Sequence, residues 1–165
     1  MVVVIGFEQN YLIYGQSQIH DISKDDINNF PKTIEGLQCD KVEHLVFHNH
    51  TKIIMKIQNV TQDIPGNIGI VQNNCIFWLH THDNSGIIHV ESPIRQTYTL
   101  GQFLDIWEEF DNSSFVKNLS SISSNDILNI LIDDVAIDPS SIDFRKIILK
   151  DNSIISVDIG NISKN

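Results

Sequence analysis

Residues 75–92 read CIFWLHTHDNSGIIHVES and gather three of the chain's seven histidines, a glutamate and a turn-forming DNSG. Apolar and polar residues alternate on both sides of DNSG, which predicts two antiparallel strands joined by a tight turn. Asp83 suits the start of that turn, because its carboxylate can accept a hydrogen bond from the backbone two residues on. In this register His82 faces Ile87, His80 faces His89 and Trp78 faces Glu91. One side then carries Ile76, Trp78, His80, His82, Ile87, His89 and Glu91, and the other carries Cys75, Phe77, Leu79, Thr81, Ile88 and Val90. The second side is almost wholly apolar and belongs in a core. The three histidines therefore share the opposite face.

Residues facing each other across two antiparallel strands have Cβ atoms about 4.5–5.5 Å apart. Imidazoles on such positions can converge on a metal ion at about 2.0–2.1 Å, and an HxH pair with a third histidine across from it makes a facial tri-imidazole site. His80, His82 and His89 are the candidate ligands. A second HxH, His48 and His50, falls in VEHLVFHNH, where strand alternation puts His44, Val46, His48 and His50 on one side. If that strand adjoins the hairpin, five histidines line one pocket. Glu91 and Glu43 are the carboxylates placed to be a further ligand, a hydrogen-bond partner of a ligand, or a general base on metal-bound water. His20 and His44 read as surface or hydrogen-bonded histidines, and Trp78 and Trp107 as packing residues.

Working outward, VEHLVFHNH and KIIMKIQNV read as two adjacent strands, and DIPGNIGIVQNN as a turn-rich link. After Thr99 the period changes: Leu100, Phe103, Leu104, Ile106, Trp107 and Phe110 recur at helical spacing, which predicts one amphipathic helix over about 99–110. SSFVKNLSSISSND reads as a loop or soft boundary near 112–126. Beyond it ILNILIDDVAID reads as a strand and KIILKDNSIISVDIG as a hairpin turning at Asp151-Asn152-Ser153, together a small C-terminal β-rich unit over 127–160. The start, MVVVIGF, reads as a strand or as the tail of an export signal or anchor, and HDISKDDINNFPKTIEG as a short capped helix or irregular segment. The expected fold is one α+β domain over 1–165, mainly antiparallel sheet with a single main helix packed on it.

The 165 residues suffice to bury a core without the help of a metal. A formal charge of −10 without a basic cluster argues against nucleic acid and anionic membrane surfaces as partners, and no sequence feature names a protein partner. Cys39 and Cys75 are too far apart for a CxxC motif and are either one disulfide or two buried thiols. HExxH, GxSxG, P-loop and GxGxxG motifs are all missing. WLHTHD resembles the HTHP-type motif of JAMM metalloproteases, but Asp83 stands in place of the proline and the downstream Ser and Asp spacing is not met. It also resembles the opening of PHP-type phosphoesterases, which need a far longer chain.

The ordered motifs Cys39, Glu43, FHNH (47–50), IPGNIGI (64–70), CIFWLHTHDNSGIIHVESP (75–93) and YTLGQFLDIW (98–107) resemble an uncharacterised family of archaeal and bacterial proteins with an HxH, NIGI and WLHTHDxSGIIHxE signature. The likeness runs from about Leu37 to Trp107. It implies a metal-binding protein, often exported or membrane-tethered, which favours a Cys39–Cys75 disulfide and an extracytoplasmic location over a cytoplasmic one. Thr51-Lys52 and Asn59-Val60 depart from the family pattern, which is more apolar and has an NG turn there, and this leaves the hairpin over Ile53–Val60 open.

The sequence thus points to a histidine-rich metal site on an antiparallel sheet, with zinc or copper ahead of iron or manganese for imidazole ligands. An enzyme built this way would be a hydratase or hydrolase using a metal-bound hydroxide. Two other readings stand beside it. One is a copper or metal carrier without turnover, and the other is a structural interaction module whose histidines are surface residues, able to respond to pH because free imidazole titrates at about 6.5.

Overall fold

The computed structural model describes residues 30–111 and 122–160. MVVVIGF, His20, most of HDISKDDINNFPKTIEG and most of the 112–126 loop lie outside the described residues.

A small sheet holds β1 (Thr33–Ile34), β2 (Leu37–Asp40), β5 (Ile70–Val71) and β6 (Cys75–Phe77), in the order β1-β2-β6-β5. The larger sheet is built on β3 (Phe47–Ile57), with β4 (Val60–Gln62), β7 (Leu79–His80), β8 (Ile87–Ser92), β9 (Ile127–Ile132), β10 (Val135–Ile137) and β11 (Ser153–Ile159). Its order is β10-β9-β11-β3-β8-β7, and β4 pairs with the far end of β3. Among the described residues one α-helix, α1 (Leu100–Phe110), completes an α+β fold that is mainly antiparallel sheet. Among the described residues no helix is long and apolar enough to cross a membrane.

The core is the sum of the alternating faces. Thr51, Ile53 and Met55 of β3, Ile88 and Val90 of β8, and Ile155, Val157 and Ile159 of β11 are all buried. The helix lies over β7, with Leu100, Phe103, Leu104, Ile106, Trp107 and Phe110 turned inward. Thr99 and Gln102 form a capping box at its start, each side chain bonding the other's backbone N–H. Two anchors fix its position: Leu100 N–H donates to Ile147 O (2.8 Å), and the half-buried Arg145 pairs with Asp105.

Three sequence expectations need correction. VEHLVFHNH and KIIMKIQNV do not make two strands: Phe47 to Ile57 is one continuous strand, because nothing between His50 and Lys52 can turn and Thr51 is fully buried. His44 therefore lies before the strand, and its Nε2 bonds Asp40 Oδ2 (2.8 Å). The hairpin left open by the sequence does form at the far end, where Gln58 and Asn59, both at positive φ (49° and 66°), turn β3 into β4.

CIFWLHTH is likewise not one strand. It breaks at Trp78, so that β6 joins the small sheet and β7 the large one. Trp78 turns the corner between them, its indole N–H donating to Asp40 Oδ2 (2.8 Å). Ile76 thus leaves the histidine face. Cys39 and Cys75 form a disulfide that ties β2 to β6 beside this corner.

The third correction is the expected hairpin at Asp151-Asn152-Ser153. Leu149 and Ile148 attach to Tyr98 and Thr99 near the helix, and β11 runs parallel to β3 and antiparallel to β9. The turn docks on β3 instead. Asp151 Oδ1 accepts from His50 N–H (2.9 Å), and Asn152 N–H donates to His50 O (2.8 Å).

Candidate metal centre

Strand β8 carries His89 and Glu91 and sits between β7 and β3. His80 pairs with His89 on one side; His50 pairs with His89 and His48 with Glu91 on the other. The register expected for the hairpin is the one found, and Glu91 N–H donates to Trp78 O (2.8 Å). The ladder ends at His80, however, and Ile87 pairs with Lys52 rather than with His82. The two HxH pairs thus flank one central strand and turn their imidazoles to the same face. Ring centroids lie 4.6 Å apart for His48 and His50, 4.6 Å for His50 and His89, 4.4 Å for His82 and His89, and 4.8 Å for His80 and His82.

The depth of these groups is graded. His80 is 0% exposed and Glu91 5%, whereas His48 is 39% and His82 42% exposed. His80 Nδ1 lies 2.9 Å from Phe77 O, so this nitrogen carries the proton and donates to the carbonyl. Its Nε2 lone pair is thereby left to point into the cluster, 3.3 Å from His82 Nε2 and 4.0 Å from Glu91 Oε2. Bonds of about 2.0–2.1 Å at a tetrahedral angle put neighbouring ligand nitrogens about 3.3–3.4 Å apart, so the His80–His82 spacing is that of a ligand pair.

His80, His82, His89 and Glu91 each offer a ligand atom, and these atoms all lie within 4.8 Å of one another. They form a group that could hold a metal ion. His48, His50 and His89 form a second group by the same measure. Two buried atoms facing this cluster, His89 Nδ1 and Glu91 Oε2, have no hydrogen-bond partner, a costly arrangement unless a cation compensates it.

Set against known protein families, curated proteins and solved structures, the chain matches none.

The electrostatics suit ligands that must be unprotonated. Burial first, and then the neighbouring His82, His89 and His48 imidazoles, lower the His80 pKa to about 4 against the opposing pull of its bond to Phe77. Burial and then His82, His50 and His48 bring His89 to about 4 as well. Glu91 is pushed above the usual carboxylate range, first by burial and then by the Glu43 carboxylate. Glu43 itself is 41% exposed, with Oε1 3.8 Å from His82 Nε2 at the solvent side. Asp83 takes the turn role, its Oδ1 accepting from Ser85 N–H (2.9 Å).

The sequence reading missed what holds His80 and His82 in place. Thr81 between them is fully buried and ties the NIGI segment beneath the site. Its hydroxyl donates to Pro65 O (2.8 Å) and accepts from Ile68 N–H (3.1 Å), while its backbone bonds Asn67 and Ile68. A Cβ at Gly69 would come within 2.5 Å of Leu79 O and 2.9 Å of His80 Cβ, and Gly69 has φ +78°. The repeated glycines of IPGNIGI were the visible signal: they let the link pack flush against the ligand strand.

Proposed function

We propose that the protein binds a divalent metal ion, zinc or copper, through His80, His82 and His89, with Glu91 as a further ligand. The observation that carries this is the fixed tautomer of His80: its Nδ1–H is committed to Phe77 O, which aims the Nε2 lone pair at His82 Nε2, 3.3 Å away. A backbone carbonyl holding the far nitrogen of an imidazole is the usual support of a metal-ligating histidine.

The same site supports metal-activated water chemistry. His82 and Glu43 form its solvent-facing side, so a water on the ion would be reached from there, with the Glu43 carboxylate as its proton acceptor. Glu91, buried against the histidines, would hold charge rather than exchange protons with solvent.

The test is a competition titration at pH 7 of the chelator-stripped protein against a chromophoric chelator, with zinc and then copper. Binding at submicromolar Kd, weakened at least 100-fold in His80→Ala/His82→Ala, supports the site. Equal, weak binding by both proteins would sink it. Zinc-dependent hydrolysis of an activated ester that falls in Glu43→Gln while zinc affinity holds would identify an enzyme, and no zinc-dependent hydrolysis in the parent protein would favour the carrier.

A further inference from the structure

We infer that the face holds two ions rather than one, with Glu91 as a carboxylate bridge between an inner site at His80 and His82 and an outer site at His48 and His50. This rests on the metal-binding reading above and adds a second, separate site to it.

Three observations carry the inference. The ligands fall on both sides of β8: His80 and His82 belong to β7 and its continuation, His48 and His50 to β3. Strands two apart in a sheet are about 9–10 Å distant, so each HxH pair serves a centre above its own side of β8. The two oxygens of Glu91 face these two sides. Oε1 lies 3.2 Å from His48 Nε2, a spacing close to that of two ligands on one ion, whereas Oε2 lies 4.0 Å from His80 Nε2 and has no hydrogen-bond partner.

His89 is common to both groups and stands edge-on to His50 and to His82, with ring centroids 4.6 and 4.4 Å apart. It can complete either triad. Ions bridged in this way sit about 3.5–4 Å apart, the spacing at which two metals act together on a bound oxygen. The outer pair also has a fixed backbone, since His50 N–H and O are both bonded to the 151–152 turn.

The experiment is native mass spectrometry of the chelator-stripped full chain with added Zn2+ at pH 7, followed by Cu2+ titration read by electron paramagnetic resonance. The expected result is two zinc ions per chain in the parent protein and one in His48→Ala/His50→Ala. The first equivalent of copper should give an isolated-spin spectrum, and the second a half-field transition from two coupled ions. Saturation of the parent protein at one ion, or two copper spins without coupling, would overturn the inference while leaving the single site standing. No bound ion at all would remove both readings together. The count in the parent protein needs no variant to fold, and circular dichroism of the double variant guards the comparison.

Discussion

His80 Nδ1 lies 2.9 Å from the carbonyl oxygen of Phe77, three residues earlier and across the break between β6 and β7. The bond links the corner of the fold to the chemistry of the face, since the break at Trp78 is what brings that carbonyl under the imidazole.

Metal should stabilise the fold. An ion that binds only the folded chain adds about 2.7 kcal/mol at a free concentration of about 100 times Kd. Zinc at that level should raise Tm by several degrees in the parent protein, by less in His80→Ala/His82→Ala, and by almost nothing when His48 and His50 are replaced as well, measured by differential scanning calorimetry.

Acid should destabilise the metal-free protein before its carboxylates titrate. Unfolded histidine titrates near 6.5, while folded His80 and His89 titrate at about 4. Between these values the unfolded chain binds protons that the folded chain does not, so stability is fully present above pH 6.5 and is lost as pH falls towards 4. Glu91, raised by burial, acts in the opposite sense and offsets part of the loss. Urea melts across this window should show stability falling by a few kcal/mol, and His80→Ala should flatten the slope.

Gly69→Ala should damage both stability and the site. The new methyl would meet Leu79 O at 2.5 Å and His80 Cβ at 2.9 Å, on a backbone at φ +78°. A loss of about 2–4 kcal/mol is expected from the strain and the displaced neighbours. Urea unfolding should show it, and zinc affinity should fall because His80 is pushed from its place.

Reducing the Cys39–Cys75 disulfide should cost about 2–4 kcal/mol, since it closes a long loop in the unfolded chain. The bond joins β2 to β6 and lies next to Asp40, which accepts from both Trp78 and His44. Thermal melts of Cys39→Ser/Cys75→Ser measure the cost.

What was legible in the sequence was local. The helix announced itself through six apolar residues at helical spacing, and Thr99 with Gln102 supplies its cap. The pairing of His80 with His89 followed from one turn and one alternation. The placement of β3 against β8 depends on a pairing across nearly forty residues, His50 with His89, for which alternation gives no partner. Nor could alternation foresee that Trp78 would break a continuous apolar run, because that depends on Asp40 waiting in another strand. The parallel docking of β11 on β3 was hidden for the same reason: Asp151 and Asn152 look like a hairpin turn, yet their bonds go to His50.

The central claim is most directly tested by X-ray absorption at the zinc edge on the full chain loaded with one equivalent of zinc. The account predicts nitrogen and oxygen neighbours at about 2.0–2.1 Å, with the outer-shell scattering of at least three imidazoles, falling to one or none when His48, His50, His80 and His82 are all replaced by alanine. A spectrum of oxygen neighbours without imidazole scattering, or one unchanged in the quadruple variant, would contradict it.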